Sequence, residues 1–266
     1  MSRFDPEARQ MSLADNEVTR WLLFGIVFMV VWEMAAALYD APFLLPGPSR
    51  ILAEFLRAPQ LVLGNAWITT QEIVLGFFIG SALAMLAALL LLVVPRWLED
   101  FIFRAVITLN SIPFVALASL VVVWLGANTI ASKVAIAGLY AFFALVYFAH
   151  KEMLSTDPLK EELLTSYNAS FGQRVRFLKL PSALPVIFTS LKGAAMAAVN
   201  GAIVGELFGA FQGLGFMILD SRYVGNTARV FVAAVLCTLV GWMMLGVLAV
   251  LERRFVGWHL EMTRQT

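Results

Sequence analysis

The chain has 266 residues, 61% of them hydrophobic and only 14% charged, with a formal net charge of +1. Soluble domains carry about 25% charged residues, so this composition excludes an ordinary soluble globular protein, and the near-neutral balance leaves no basic excess to attract nucleic acid. The remaining class is a protein embedded in a bilayer.

Six hydrophobic runs follow one another at Trp21 to Leu38, Ile73 to Val94, Ala105 to Leu125, Val134 to Ala149, Val186 to Gly205 and Val230 to Val250. Most approach or exceed the ~20 residues that cross a bilayer as helix, and the shorter alternating segments of a membrane barrel are missing. The pattern predicts an all-α integral membrane protein of six spans, with the domain at 21–250 between a polar tail at 1–20 and a second tail at 251–266. With both termini on one side, 14 of the 19 Lys and Arg fall on or near that side, against Arg50, Arg57, Lys133, Arg222 and Arg229 on the other. The positive-inside bias therefore places both termini in the cytoplasm.

In chain order, the tail to Thr19 is polar and mixed in charge, and is expected to be a mobile or surface-lying segment. About twenty polar residues precede the first run, which argues against a cleavable signal. Glu33 in that run must face protein, water or the outer surface, because an isolated charge in hydrocarbon is costly. Phe43 to Ser49 is a proline-rich turn, and Ile51, Leu52, Phe55 and Leu56 make the next stretch an amphipathic helix at the outer surface. Trp67, Thr70 and Glu72 extend the second span outward. Gly76, Gly80, Ser81 and Ala84 give it a small-residue face for close helix approach. Asn110-Ser111-Ile112-Pro113 interrupts the third span, either as a kink or as part of a solute path. Trp124-Leu125-Gly126 closes that span. The fourth run is short, so Lys133 is expected to snorkel to the surface.

Residues 157–185 form a polar passage between the fourth and fifth spans. Asp157-Pro158 starts a helix, with Glu161 and Glu162 at its positive end. Leu159, Leu163, Leu164 and Tyr167 make one apolar face, and Asn168 is the stop, in the left-handed conformation. Ser170 and Gln173 have the spacing of a capping box that opens a second helix, which Pro181 is expected to end. The fifth span, Lys192 to Gly201 and on to Gly205-Glu206, is dominated by small residues. Asn200 within it needs a partner. Cys237 is the only cysteine and reads as an apolar filler. His150 and His259 are far apart in sequence, and no G-x-x-x-x-G-K-[ST] phosphate loop occurs.

The spacing Glu162-Leu163-Leu164, three residues, Asn168, nine residues, Leu178-Lys179-Leu180-Pro181 resembles the cytoplasmic loop of the membrane subunits of binding-protein-dependent ABC importers. That loop reads E-A-A, three residues, G, nine residues, I-x-L-P. The chain departs at both Ala positions, at the Gly and at the Ile. Leu44-Leu45-Pro46, Gly205-Glu206, Gly213-Leu214-Gly215-Phe216, Glu252-Arg253-Arg254 and Trp258-His259 resemble the sulfonate, taurine, nitrate and pyrimidine-precursor branch.

The resemblance implies a type I importer permease fold in the bacterial inner membrane. It also implies a homodimer with cytoplasmic ATPase subunits and a periplasmic or lipid-anchored solute-binding protein. ATP and Mg would be held by the partner ATPase, with no cofactor or metal in this chain and no catalysis by it. Glu162, Asn168, Ser170, Gly172, Gln173 and Pro181 would form the coupling loop, and Asn110, Ser111, Met196 and Asn200 are candidates for the path. Two alternatives stay open. One is a self-contained secondary transporter or channel with Glu33, Glu72 or Glu206 as ion-coupling carboxylate. The other is a membrane enzyme, for which no Ser/His pair or carboxylate cluster is apparent.

Overall fold

In a computed structural model, residues 6–39, 41, 43–110 and 112–257 are described, those of 6–18 and 110 by backbone alone. The described residues are helical: α1 Pro6–Tyr39, α2 Pro48–Arg57, α3 Pro59–Leu91, α4 Arg96–Asn110, α5 Phe114–Leu125, α6 Ile130–Leu154, α7 Pro158–Ser166, α8 Phe171–Arg174, α9 Leu180–Gly209, α10 Leu214–Tyr223 and α11 Thr227–Phe255. Among the described residues five stretches are long and apolar enough to span a bilayer, or six if the bent pair α4 and α5 is one span. α1 runs unbroken through residue 20 and α11 through residue 250, so secondary structure marks neither tail boundary. From Pro6 onward the N-terminal tail is helix.

The chain forms two compact units, one of residues to Pro59 with Asp220–Val232, the other of Gln60–Leu219 with Ala233 onward. In the first, both oxygens of Glu33 accept from Ser49, one from its hydroxyl at 2.6 Å and one from its amide at 3.0 Å. The carboxylate thus answers one orphan amide at the start of α2. Gly47 leaves room for that carboxylate, which a Cβ there would push aside.

In the second unit α3, α6, α9 and α11 share one core, built of Ile73, Phe77, Ala137, Ala141, Leu145, Ala194, Ala198, Ala202 and Val240. Small residues set its geometry. A Cβ on Gly80 would collide with the Gly138 backbone, and one on Gly201 would lie 2.8 Å from the Ala137 Cα. α6 thus meets α3 on one side and α9 on the other at backbone contact, the close packing that replaces hydrophobic drive within a membrane. The outward faces carry exposed Leu, Ile, Val and Phe, as a lipid-facing surface requires.

The kink expected at Pro113 is present: α4 and α5 are two helices whose axes differ by 94°, with Pro113, which supplies no amide, at the N-cap of α5. Two expectations are corrected. α6 is longer than the hydrophobic run suggested, beginning at Ile130 behind a Thr129 cap. Lys133 therefore lies inside the fold, 2% exposed, donating to the Gly209 carbonyl at 2.7 Å rather than reaching the surface.

Candidate functional site

α7 begins where Asp157 accepts from the Leu159 amide at 3.0 Å with Pro158 in the first turn. It ends in a Schellman motif: Asn168, at φ 54°, donates to Thr165 O at 2.8 Å, and Ala169 donates to Leu164 O at 3.0 Å. Two residues on, the capping box closes, with the Ser170 amide donating to Gln173 Oε1 at 2.7 Å and the Gln173 amide to Ser170 Oγ at 3.4 Å. Each cap is worth about 1 kcal/mol. Together they shape the corner between α7 and α8 from residues within a few positions of one another.

Pro181 does not end the second helix. Residues Val175–Lys179 form a π-helical turn, and α8, this turn and α9 run on as one 39-residue helix, Phe171–Gly209. Within the turn the Leu180 amide donates to Val175 O, one residue further back than in an α-helix. That widening shifts the carbonyl register just where Pro181 brings a bulky ring and no donor, so the helix passes the proline instead of breaking. Gly172 has open space around its Cα.

Glu161, not Glu162, makes the tertiary contacts of this region. Its carboxylate lies 3.2 Å from Lys179 Nζ and 3.8 Å from Arg174 Nη1, tying α7 to the π turn. Lys179 is only 9% exposed, so this pair is better shielded than a surface salt bridge. The Glu162 side chain is exposed. The apolar face of α7 is bare, with Leu159 75%, Leu163 56% and Tyr167 78% exposed, and Phe177 of the π turn beside it in sequence is 66% exposed.

At the far end of α9 a buried polar layer joins four elements. Glu206, 1% exposed, accepts from Thr69 Oγ1 at 2.6 Å and from the Gly215 amide at the start of α10. Thr69 Oγ1 in turn accepts from the Leu214 amide at 2.8 Å, and Asn65 Oδ1 from the Gly213 amide at 2.6 Å. Gly213, at φ 107°, gives the turn the backbone that places these amides. Glu72, 3% exposed, interacts with both Glu206 and Lys133, and its Oε2 has no hydrogen-bond partner. No carboxylate cluster is apparent in the sequence. The fold makes one from residues of α3 and α9 that lie more than a hundred positions apart, and the one clue in the sequence was a charge at the edge of each of three apolar runs.

A second buried pair sits in α6, where His150, 2% exposed, has Nε2 3.0 Å from Glu99 Oε1 of α4 and Nδ1 3.1 Å from the Ala88 carbonyl of α3. Of the candidate path residues, Ser111 and the side chain of Asn110 lie outside the described residues. The Met196 methyl would lie 3.0 Å from a Cβ built on Gly241 of α11, so this side chain fills the groove that Gly241 leaves. Asn200 is exposed on α9 and not enclosed by this chain.

Residues 76–257, reaching from the small-residue face of α3 to the end of the described chain and including the whole of the loop just described, match the model of the family described as binding-protein-dependent transport system inner membrane component. The chain belongs to this family. It is 30% identical over 240 residues to the formylaminopyrimidine transport permease protein ThiX of Halalkalibacterium halodurans, covering 89% of this chain and 94% of that one. It is 26% identical over 244 residues to the putative aliphatic sulfonates transport permease protein SsuC of Bacillus subtilis, covering 90% and 87%. An inward-facing structure of the MetNI methionine ABC transporter superposes with a TM-score of 0.67 at 19% identity, over 73% of this chain and 96% of that one, and shares the fold. The protein is a multi-pass permease subunit of an ABC importer, in the branch that includes the sulfonate, taurine and pyrimidine-precursor permeases.

Proposed function

We propose that this permease works as a homodimer in the bacterial inner membrane, with both termini in the cytoplasm. Residues 157–185 dock on a partner subunit that binds ATP and Mg and hydrolyses the nucleotide, while a solute-binding protein delivers solute at the opposite face. The observation that carries the docking assignment is the bare apolar face of α7, Leu159, Leu163 and Tyr167, held on a doubly capped corner. An exposed patch of this kind on a polar loop is the composition of an interface core.

The mechanism follows from how that face is attached. Displacement of α7 by the closing ATPase passes through the Glu161–Lys179 pair into the root of the helix that continues as α9. At its far end α9 holds the start of α10 through Glu206. Two packings of α9 against α6 would then give the inward-facing and outward-facing states, each favoured by a different ligand. Glu162, Asn168, Ser170, Gly172, Gln173 and Pro181 shape the docking segment. Asn110, Ser111, Met196 and Asn200 remain the proposed path residues. The solute is a small polar nutrient of the class named for the relatives, a pyrimidine precursor or a sulfonate.

The competing reading is a self-contained secondary transporter, and the observation that favours it is the buried group of Glu72, Glu206 and Lys133. The docking assignment is tested with Glu162→Lys combined with Asn168→Pro in vesicles holding the ATPase subunit. Membrane insertion is retained and solute-stimulated ATP hydrolysis is lost. Normal hydrolysis and uptake by that variant would sink the assignment.

A further inference from the structure

A cleft of about 550 Å³ opens in the first unit between α2 and the turn that precedes α11, lined by Arg50, Glu54, Arg57, Phe43, Val224 and Asn226 among others. Its floor is rigid. Glu54, 5% exposed, accepts from Arg229 Nε at 2.9 Å and from Asn226 Nδ2 at 2.9 Å, with Arg229 Nη2 at 2.7 Å, and Thr227 Oγ1 donates to the Phe43 carbonyl at 2.6 Å.

The charge of this cleft does not balance. Glu54 is taken up by Arg229, while Arg57 touches it with one nitrogen at 3.3 Å and keeps its side chain 78% exposed. Arg50 is also exposed, and Glu33, whose field it feels, is occupied by Ser49. Two guanidinium groups two turns apart on α2 therefore face the cleft opening, with the exposed Phe43 and Val224 at its rim. Arginine beside aromatic and aliphatic anchors, on a preformed polar floor, is the make-up of a protein interface.

The orientation of α2 argues against a lipid headgroup as the occupant. At 3.6 residues per turn, Arg50, Ala53, Glu54 and Arg57 share one side of the helix. The exposed Leu52 and Leu56 point the opposite way. A helix lying on a bilayer by Leu52 and Leu56 would direct these arginines away from the lipid. On the six-span topology and positive-inside bias read from the sequence, α2 follows the first span and the turn at 223–227 follows the fifth, which puts Arg50, Arg57 and this turn on the face expected to be outside.

We infer that the Arg50–Arg57 face of α2, together with the 223–227 turn, is the seat for an acidic patch of the solute-binding protein on which this family depends. This rests on the importer reading. Two carboxylates of the partner spaced to meet two arginines about 10 Å apart along α2 would form charge-assisted, bidentate pairs, and attraction between the surfaces would speed their encounter.

The test is binding of the solute-binding protein encoded beside the permease gene, fluorescently labelled, to permease–ATPase complex in nanodiscs of neutral lipid. Arg50→Glu with Arg57→Glu weakens binding tenfold or more and flattens its salt dependence, while Leu52→Ser leaves the affinity unchanged. Co-elution with the ATPase subunit reports that each variant is folded. Arg50→Lys forms a zero-length carbodiimide cross-link to an Asp or Glu of the binding protein, a readout that does not need the double variant to fold. Affinity within twofold of wild type together with no cross-link overturns the inference, as does a loss seen only in discs of anionic lipid, which would assign the arginines to headgroups. Uptake that needs no binding protein at all would instead overturn the importer reading beneath it.

Discussion

Truncating the bare face of α7 gives the sharpest mutational test of docking. Leu159→Ala with Tyr167→Ala removes two side chains that are 75% and 78% exposed and make no core contact, so the permease itself loses little stability. Beyond Cβ the two present roughly 150 Å² of apolar area. If two thirds of that is covered by the partner, at about 25 cal/mol per Å² the double variant loses about 2.5 kcal/mol of association. That is about sixtyfold in Kd. Titration of nanodisc-embedded permease with purified ATPase subunit, followed by fluorescence anisotropy, reads this directly. A Kd within twofold of wild type would refute the argument, because an uncovered apolar face contributes nothing to binding.

Other consequences follow from the packing and caps. Gly80→Ala forces α3 away from the Gly138 backbone and is expected to cost about 1–3 kcal/mol, whereas Gly193→Ala, with open space around it, is neutral or slightly stabilising; thermal unfolding in detergent separates the two, and equal midpoints would contradict the packing. Asn168, at φ 54°, accepts Gly without loss, while Asn168→Val is expected to cost about 1–2 kcal/mol and to weaken ATPase docking. Burial pushes the Glu54 carboxyl up, but the hydrogen bonds from Arg229 and Asn226 outweigh it and hold the group below the ordinary carboxylate value. A carboxyl depressed on folding stabilises above its unfolded pKa and loses that contribution as pH falls through the folded one. The difference in melting temperature between wild type and Glu54→Gln should therefore shrink toward acid, and a pH-independent difference would refute the role given to the ion pair.

Features governed by local chemistry were legible in the sequence. Asp157, Asn168 and the Ser170–Gln173 box act within a few residues of themselves, so their spacing sufficed to place the corner of the loop. Gly76 and Gly80 announced close helix contact, although not that Gly138 would be the partner. What depends on distant residues was not legible. Lys133 was assigned to the surface because its run was short; the carbonyl it meets, Gly209, lies 76 residues away and is positioned only when α6 and α9 pack. Glu206 and Thr69 are 137 residues apart. Pro181 misled for a subtler reason: proline ends a regular α-helix, but the π turn before it changes the register that the rule assumes. Asn200 was judged by depth along the span, whereas its exposure depends on which side of α9 faces the core.

The measurement that bears most directly on the whole account is solute uptake into vesicles with components omitted one at a time. Permease, ATPase subunit, binding protein and ATP are combined, and uptake of a formylated aminopyrimidine and of an alkanesulfonate is followed. Uptake of one of these solutes only when all four are present is the predicted result. Uptake by the permease alone, driven by an ion gradient and indifferent to ATP, would contradict the account and turn attention to Glu72 and Glu206.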